Sequence, residues 1–188
     1  TFGQVSLDQP YVGKRMNCGN ISAAVGPFAV DEGLVKAVEP TTVVRIFNTN
    51  TRKRIISYVP VKNGKAVYEG DFEIHGVLGT GARIDLEFEN PGGALTGKTL
   101  PTGAASQVVE VEGKQCTVSI VDAANPVVFV RAEELGVNGT ELPWEFERRS
   151  DSKALSAVVE KIRGIAARMI GLVDDPAKAA VESPELPK

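Results

Sequence analysis

The fold is decided by one stretch, Arg15-Met16-Asn17-Cys18-Gly19-Asn20-Ile21-Ser22-Ala23-Ala24-Val25-Gly26-Pro27-Phe28-Ala29-Val30-Asp31-Glu32-Gly33-Leu34. Its apolar residues recur at helical spacing on one face and continue onto the opposite face, which predicts a helix that is apolar nearly all round. Asn17 is the predicted N-cap, and Gly33 is the predicted stop. Such a helix has to be enclosed by other structure, so we expect it to be a central helix.

Cys18 falls in the first turn of this predicted helix. The unpaired N–H groups and the positive end of the helix dipole favour a thiolate there. The same N–H groups can bind a substrate carboxylate. A thiol beside an anion site suits proton abstraction next to a carboxylate, whereas the alternative interpretation makes Cys18 a small buried core residue.

Outside this stretch, the sequence patterns predict mainly strands. One short strand is expected over residues 1–12, and residues 41–131 consist of strand and turn patterns. The strand patterns are Thr41–Phe47, Arg54–Val61, Ala82–Glu89, Val108–Val111, Gln115–Val121 and Val127–Val130, with an Asn63-Gly64 hairpin turn. Residues 151–170 predict an amphipathic helix ending at Gly171. The break at Pro40 predicts a domain boundary between residues 1–39 and residues 40–188.

Composition and charge argue against several classes of partner and binding site. A net charge of −3 offers no broad basic field, so no nucleic-acid partner is expected. No apolar run reaches the roughly 20 residues of a membrane span, so no membrane association is expected. Two cysteines without a signal peptide pattern indicate the cytoplasm, with Cys116 as a core residue. No His, Cys and carboxylate cluster has the spacing of metal ligands, so no metal is expected.

Three blocks in order resemble the PrpF family of the diaminopimelate-epimerase-like fold. They are Asn17–Ser22 with the following Ala24–Ala29, then Leu95–Gly103, then Asp122–Pro126. The resemblance covers most of the chain. It implies an α+β fold with two lobes, each a curled sheet around a central helix. Residues 1–39 would then belong to the first lobe, and residues 40–188, including the helix over 151–170, to the second.

The resemblance also implies an activity and a set of site residues. PrpF-like proteins isomerise unsaturated di- and tricarboxylates such as 2-methylaconitate without a cofactor, and they act in propionate catabolism. Cys18 would be the catalytic acid/base, with a lysine outside this sequence as its partner. The implied substrate-binding residues are Asn17, Gly19, Asn20, Ile21, Ser22, Thr96, Gly97, Thr102, Gly103 and Asn125. Because PrpF-like chains are longer, we expect an internal portion of a protein, partnered by missing segments of that protein or by a homo-oligomer.

Two alternatives to the isomerase stay open. Gly92–Thr99 matches the Walker A pattern of P-loop nucleotide-binding proteins, which requires a helix starting at Lys98-Thr99. Gly103 and the absence of a following amphipathic run weigh against that helix. The other alternative is a non-catalytic structural fragment of the epimerase-like fold.

Overall fold

Helix α1 spans Gly19–Asp31 and belongs to the first of two compact units, Thr1–Pro91 and Gly92–Lys188. The structure is a computed structural model and describes residues 1–7 and 10–188. The helix begins one residue later than predicted, because Cys18 rather than Asn17 is its N-cap. Gly33 ends it as predicted, with φ of 67°. A Schellman motif closes this end, in which Gly33 N–H donates to Val30 O at 3.1 Å and Leu34 N–H donates to Ala29 O at 2.9 Å.

The first unit pairs α1 with an antiparallel sheet. Strands β1 (Gln4–Val5) and β2 (Val12–Gly13) form a separate ribbon where one strand was expected, and residues 8 and 9 of that segment lie outside the described residues. The main sheet contains β3 (Thr41–Asn48), β4 (Lys53–Lys62), β5 (Lys65–Ala66) and β6 (Asp85–Phe88), with β4 paired to the other three. The Asn63-Gly64 hairpin is confirmed, with φ of 54° and 74° at these two residues. Strand β6 is shorter than the predicted Ala82–Glu89.

The core of the first unit lies between α1 and one face of this sheet. Alternate residues of each strand point to the same face, and these contribute Val44, Val59, Val61 and Ala66, which pack with Ala29 and Val30 of α1. The opposite face of α1 is open. Ile21 is 58% and Phe28 60% exposed. The sheet therefore covers only part of the apolar surface that the sequence predicts.

The second unit packs a helix on a three-stranded antiparallel sheet. The strands are β7 (Gln107–Val111), β8 (Lys114–Ala123) and β9 (Asn125–Val130). The helices are α2 (Pro143–Arg148), α3 (Ser152–Met169) and α4 (Ala179–Glu182). Helix α3 confirms the predicted amphipathic helix and buries Ile162 and Ala166 against the sheet. Cys116 is in this core and only 4% exposed.

The boundary between the two compact units differs from the predicted boundary near Pro40. Strands β3, β4 and β5 all contact α1, so the expected boundary near Pro40 would cut through a packed unit. The two units instead divide between Pro91 and Gly92. The assignment of residues 1–39 and 40–188 to the lobes of an epimerase-like fold stays a prediction. Among the helices that the structure describes, none is both long and apolar enough to cross a membrane.

Candidate functional site

Cys18 lies at the N-terminus of α1 in an extended backbone conformation, with φ of −116° and ψ of 109°. Its residue surface is partly exposed, unlike that of the buried Cys116. The first hydrogen bond of the helix runs from Ser22 N–H to Cys18 O at 3.1 Å. The N–H groups of the three residues between them therefore have no acceptor within the described helix. The thiol and these N–H groups share the positive end of the helix dipole.

A buried hydrogen-bond network fixes the residue that precedes Cys18. Asn17 and Asn48 are both buried. Asn48 Nδ2 donates to Asn17 Oδ1, and the Asn48 Oδ1 atom accepts from Asn50 N–H at 2.9 Å and Thr51 N–H at 3.3 Å. Asn48 thus links the β3–β4 turn to the start of α1.

The buried Ser22 side chain also forms hydrogen bonds at the N-terminal end of α1. Its hydroxyl donates to Cys18 O at 2.8 Å, with Asn17 Oδ1 as a more distant acceptor at 3.4 Å. A hydroxyl has one proton, so the shorter bond is the main one. The Cys18 carbonyl therefore accepts from both the N–H and the hydroxyl of Ser22, and its orientation is fixed.

The predicted contacts of the first unit now separate into two kinds. Gly19, Asn20 and Ile21 are exposed beside Cys18, and their N–H groups can reach an anion. Asn17 and Ser22 are buried in the hydrogen-bond network, and their contact with a substrate stays a prediction. Sequence reasoning missed Asn48. The available signal is the Asn48-Thr49-Asn50 run between two strand patterns, whose residue types are typical of a turn.

In the second unit, Thr96 and Gly97 belong to a loop that is bound to Asp122. Asp122 Oδ2 accepts from Leu95 N–H at 2.9 Å, Thr96 N–H at 2.7 Å and the Thr96 hydroxyl at 2.8 Å. Asp122 is 0% exposed. Across residues 92–106, all of which the structure describes, the chain forms turns rather than a helix. The P-loop interpretation is not supported, because no helix starts at Lys98 and the Leu95 and Thr96 N–H groups already bind an aspartate.

The other predicted contacts lie on either side of this loop. The Thr102 hydroxyl lies 3.0 Å from Gln107 Oε1, and Gly103 N–H donates to Leu100 O at 3.0 Å. Asn125 begins β9 directly after the chain reverses at Ala124, where φ is 63°. An isolated bridge between Gly92 and Ala123 joins the loop to this reversal. The predicted site residues therefore form two clusters, one in each unit.

Within the first unit, one ionisable group with a shifted pKa belongs to α1, the helix that Cys18 caps. At the other end of α1, Asp31 accepts from the Tyr68 hydroxyl and from Ala66 N–H, the latter at 2.8 Å. The Tyr68 hydrogen bond, followed by that from Ala66, lowers the pKa of the Asp31 carboxyl. Within the described residues, no group of three or more His, Cys, Asp and Glu side chains could hold a metal ion.

Comparison with known proteins identifies relatives over the whole chain. The family model described as PrpF protein matches residues 1–188. The chain is 46% identical over 187 residues to 3-methylitaconate isomerase of Eubacterium barkeri, covering 100% of this chain and 48% of that protein. It is 40% identical over 180 residues to 2-methyl-aconitate isomerase of Shewanella oneidensis, covering 92% of this chain and 45% of the relative.

The fold agrees with a solved structure. A crystal structure of methylitaconate-delta-isomerase matches with a TM-score of 0.82 and 45% identity, covering 100% of this chain and 48% of that one. This match supports the α+β fold class that the sequence predicts. The chain spans about half the length of each of these relatives.

Proposed function

Because the chain belongs to the PrpF family over residues 1–188, we propose that it is part of a cofactor-independent isomerase. The enzyme moves a double bond in a small unsaturated di- or tricarboxylate by proton transfer. The relatives that act on 3-methylitaconate and 2-methylaconitate support this substrate class. The observation that carries the proposal is the partly exposed residue Cys18, which lies beside unpaired helix N–H groups.

Cys18 serves one of the two proton transfers. Its thiolate removes a proton from the allylic carbon, which breaks a C–H bond and forms an S–H bond. The released electron pair spreads over the double bond and the adjoining carboxylate. The partner acid/base, which the family resemblance places outside this sequence, donates a proton to the other end of the allylic system, so a new C–H bond forms there and the double bond has moved.

The start of α1 stabilises the charge that develops in this step. The N–H groups of Gly19 and Asn20 point outward from the helix N-terminus, where the helix dipole favours negative charge. Donors that are already oriented need no reorganisation as the enolate-like charge forms. The sequence Gly19–Ser22 has no acidic residue that would compete for them.

The test compares the two cysteines in the full-length protein. Cys18→Ala should lower kcat by about 10²–10⁴-fold, the usual contribution of a positioned acid/base. Cys116→Ala is the matched control and should keep its activity. Double-bond migration is followed by ultraviolet absorbance with 2-methylaconitate and 3-methylitaconate, and deuterium incorporation from D₂O reports the proton transfer. Full activity in Cys18→Ala would refute the assignment.

Reactivity of the thiols gives a second measurement. Cys18 should be alkylated by iodoacetamide faster than Cys116, because only Cys18 is partly exposed. A saturating substrate should protect it. Equal labelling of both cysteines in the folded protein would show that the exposure at the start of α1 is not as described.

We further propose that other polypeptide covers the open face of α1, either from other segments of the same protein or from a second copy. A groove of about 490 Å³ runs along this face, lined by Ala24, Phe28 and Tyr68 among others. Burying a side chain such as Phe28 contributes roughly 1.5–3 kcal/mol. A chain of residues 1–188 expressed by itself should therefore associate and be inactive. An active monomer of these residues would refute this proposal.

We also propose that the protein is located in the cytoplasm. Both cysteines are unpaired, which supports a reducing compartment. Fractionation of cells that express the full-length protein tests the location directly, and recovery of the protein from an extracytoplasmic fraction would contradict it.

A further inference from the structure

One buried residue, Asp122, holds the loop of residues 93–99 in three places. Its backbone O accepts from Gly93 N–H at 2.8 Å, and its N–H donates to Thr99 O at 2.9 Å. Its Oδ2 accepts from Leu95 N–H, Thr96 N–H and the Thr96 hydroxyl. These bonds reach both ends and the middle of the loop. Among the described residues no donor contacts Asp122 Oδ1.

Within the loop itself, Gly97 N–H donates to Gly93 O at 3.1 Å, and Lys98 O lies 3.0 Å from the Thr96 hydroxyl, farther than Asp122 Oδ2. The loop is folded so tightly at Gly93, where φ is 65°, that a Cβ there would lie 2.5 Å from Gly97 C and from Lys98 N. Its side chains are half-buried or exposed, and none belongs to the described hydrophobic clusters. Hydrogen bonds to a carboxylate are stronger than those between neutral groups. The Asp122 backbone therefore holds the two ends of the loop, and the Asp122 side chain holds its middle.

We propose that Asp122 is a positioning residue, which holds the turn at Thr96 and Gly97 in the shape that the substrate meets. This inference rests on the isomerase function proposed above. Asp122 acts through the loop and does not touch the substrate. Because its three donors are arranged around one carboxylate oxygen, they form a carboxylate-binding nest that a small anion can occupy when the side chain is removed.

The first experiment measures the loop without using activity. Hydrogen exchange of the Leu95 and Thr96 amides is compared in the full-length wild type, Asp122→Asn and Asp122→Ala. Exchange in both variants should be at least about tenfold faster, while β7 amides keep their protection. Asp174→Ala removes an exposed carboxylate from the same unit and should change nothing. Unchanged loop exchange in Asp122→Asn would overturn the proposal.

Formate supplies a rescue that a purely structural defect would not show. Asp122→Ala lacks one carboxylate group, and formate has that size and charge. Added formate should restore slow exchange of Leu95 and Thr96 with saturation, and chloride at the same concentration should not. If Asp122→Ala does not fold, Thr96→Val takes its place, because it removes one donor to the carboxylate and keeps the volume of the side chain. Thr96→Val should then give faster exchange at residue 95.

The second experiment measures the isomerase. Asp122→Asn should raise KM about tenfold, equivalent to about 1.4 kcal/mol of lost binding, while kcat changes by less than about threefold. Formate should lower the KM of Asp122→Ala, after correction for any inhibition of the wild type. Faster loop exchange with an unchanged KM would overturn the substrate role and leave the isomerase intact. A wild type without isomerase activity would instead refute the proposed function, and the exchange data would still decide whether Asp122 holds the loop.

Discussion

Replacing Gly26 by alanine should destabilise the first unit, because α1 packs directly against β4 at this residue. A Cβ on Gly26 would lie 2.4 Å from Ser57 Oγ and 2.7 Å from Val59 Cγ2. Ser57 and Val59 are both 0% exposed, so neither can turn into solvent. The helix or the strand would have to move to admit one methyl group.

The magnitude follows from two opposing effects. Alanine favours a helix over glycine by about 1 kcal/mol. Forcing a methyl group into a packed core costs about 1–3 kcal/mol, and two buried contacts this short put Gly26→Ala at the upper end. The net loss is then about 2 kcal/mol. For a domain of this size, that loss lowers Tm by about 10 °C.

The same helix supplies the control. A Cβ on Gly19 would lie 3.8 Å from Phe88 Cζ, an ordinary contact, so Gly19→Ala should leave the free energy of unfolding unchanged or raise it. Urea unfolding followed by circular dichroism gives the free energy and Cm of each variant. Ser57→Ala in the Gly26→Ala background should restore part of the loss, because it removes the closest atom. If Gly26→Ala is as stable as Gly19→Ala, α1 does not approach β4 as described.

Three further predictions concern other parts of the chain. Asn48→Ala should lower the free energy of unfolding by about 1–3 kcal/mol, because Asn17 loses a hydrogen-bond donor and the β3–β4 turn loses an acceptor. It should also lower kcat. Thermal melts test the stability, and the isomerase assay tests kcat. The Tyr68 hydrogen bond lowers the pKa of Asp31 below its ordinary 3.8, so its stabilising effect is present above 3.8 and is lost as pH falls through the lower folded value. The Tm difference between wild type and Asp31→Asn should therefore shrink between about pH 6 and about pH 3. Mg-ATP should leave Tm unchanged, because Gly92–Thr99 is not a nucleotide-binding loop. A rise in Tm that Lys98→Ala abolishes would contradict this conclusion.

Features that depend on neighbouring residues could be predicted from the sequence. Helices α1 and α3 both end at the predicted glycine, because Gly33 and Gly171 adopt positive φ in Schellman motifs. The Asn63-Gly64 turn depends on two residues alone. The boundary near Pro40 was predicted from a local break in pattern, whereas the packing of β3–β5 on α1 brings together residues far apart in the chain.

The candidate site likewise contains residues that could be predicted from the sequence and residues that could not. Cys18 and its adjacent N–H groups could be predicted, because a helix N-terminus is a local structure. Asn48 and Asp122 could not, since they bind residues 31 and 26 positions away along the chain. An Asn in a turn and an Asp at the end of a strand are common in sequences. Only the folded backbone shows which donors they meet.

The two clusters of site residues use backbone N–H groups in opposite ways. At the start of α1 the N–H groups near Cys18 have no acceptor within the helix, so an external carboxylate can bind them. In the Gly92–Thr99 loop the Leu95 and Thr96 N–H groups bind the Asp122 carboxylate, and the glycine pattern that resembles a phosphate site instead belongs to a loop held by an aspartate. A glycine-rich pattern therefore predicts a nest of N–H donors but not its anion. The deciding factor is whether a buried carboxylate from elsewhere in the fold already occupies that nest.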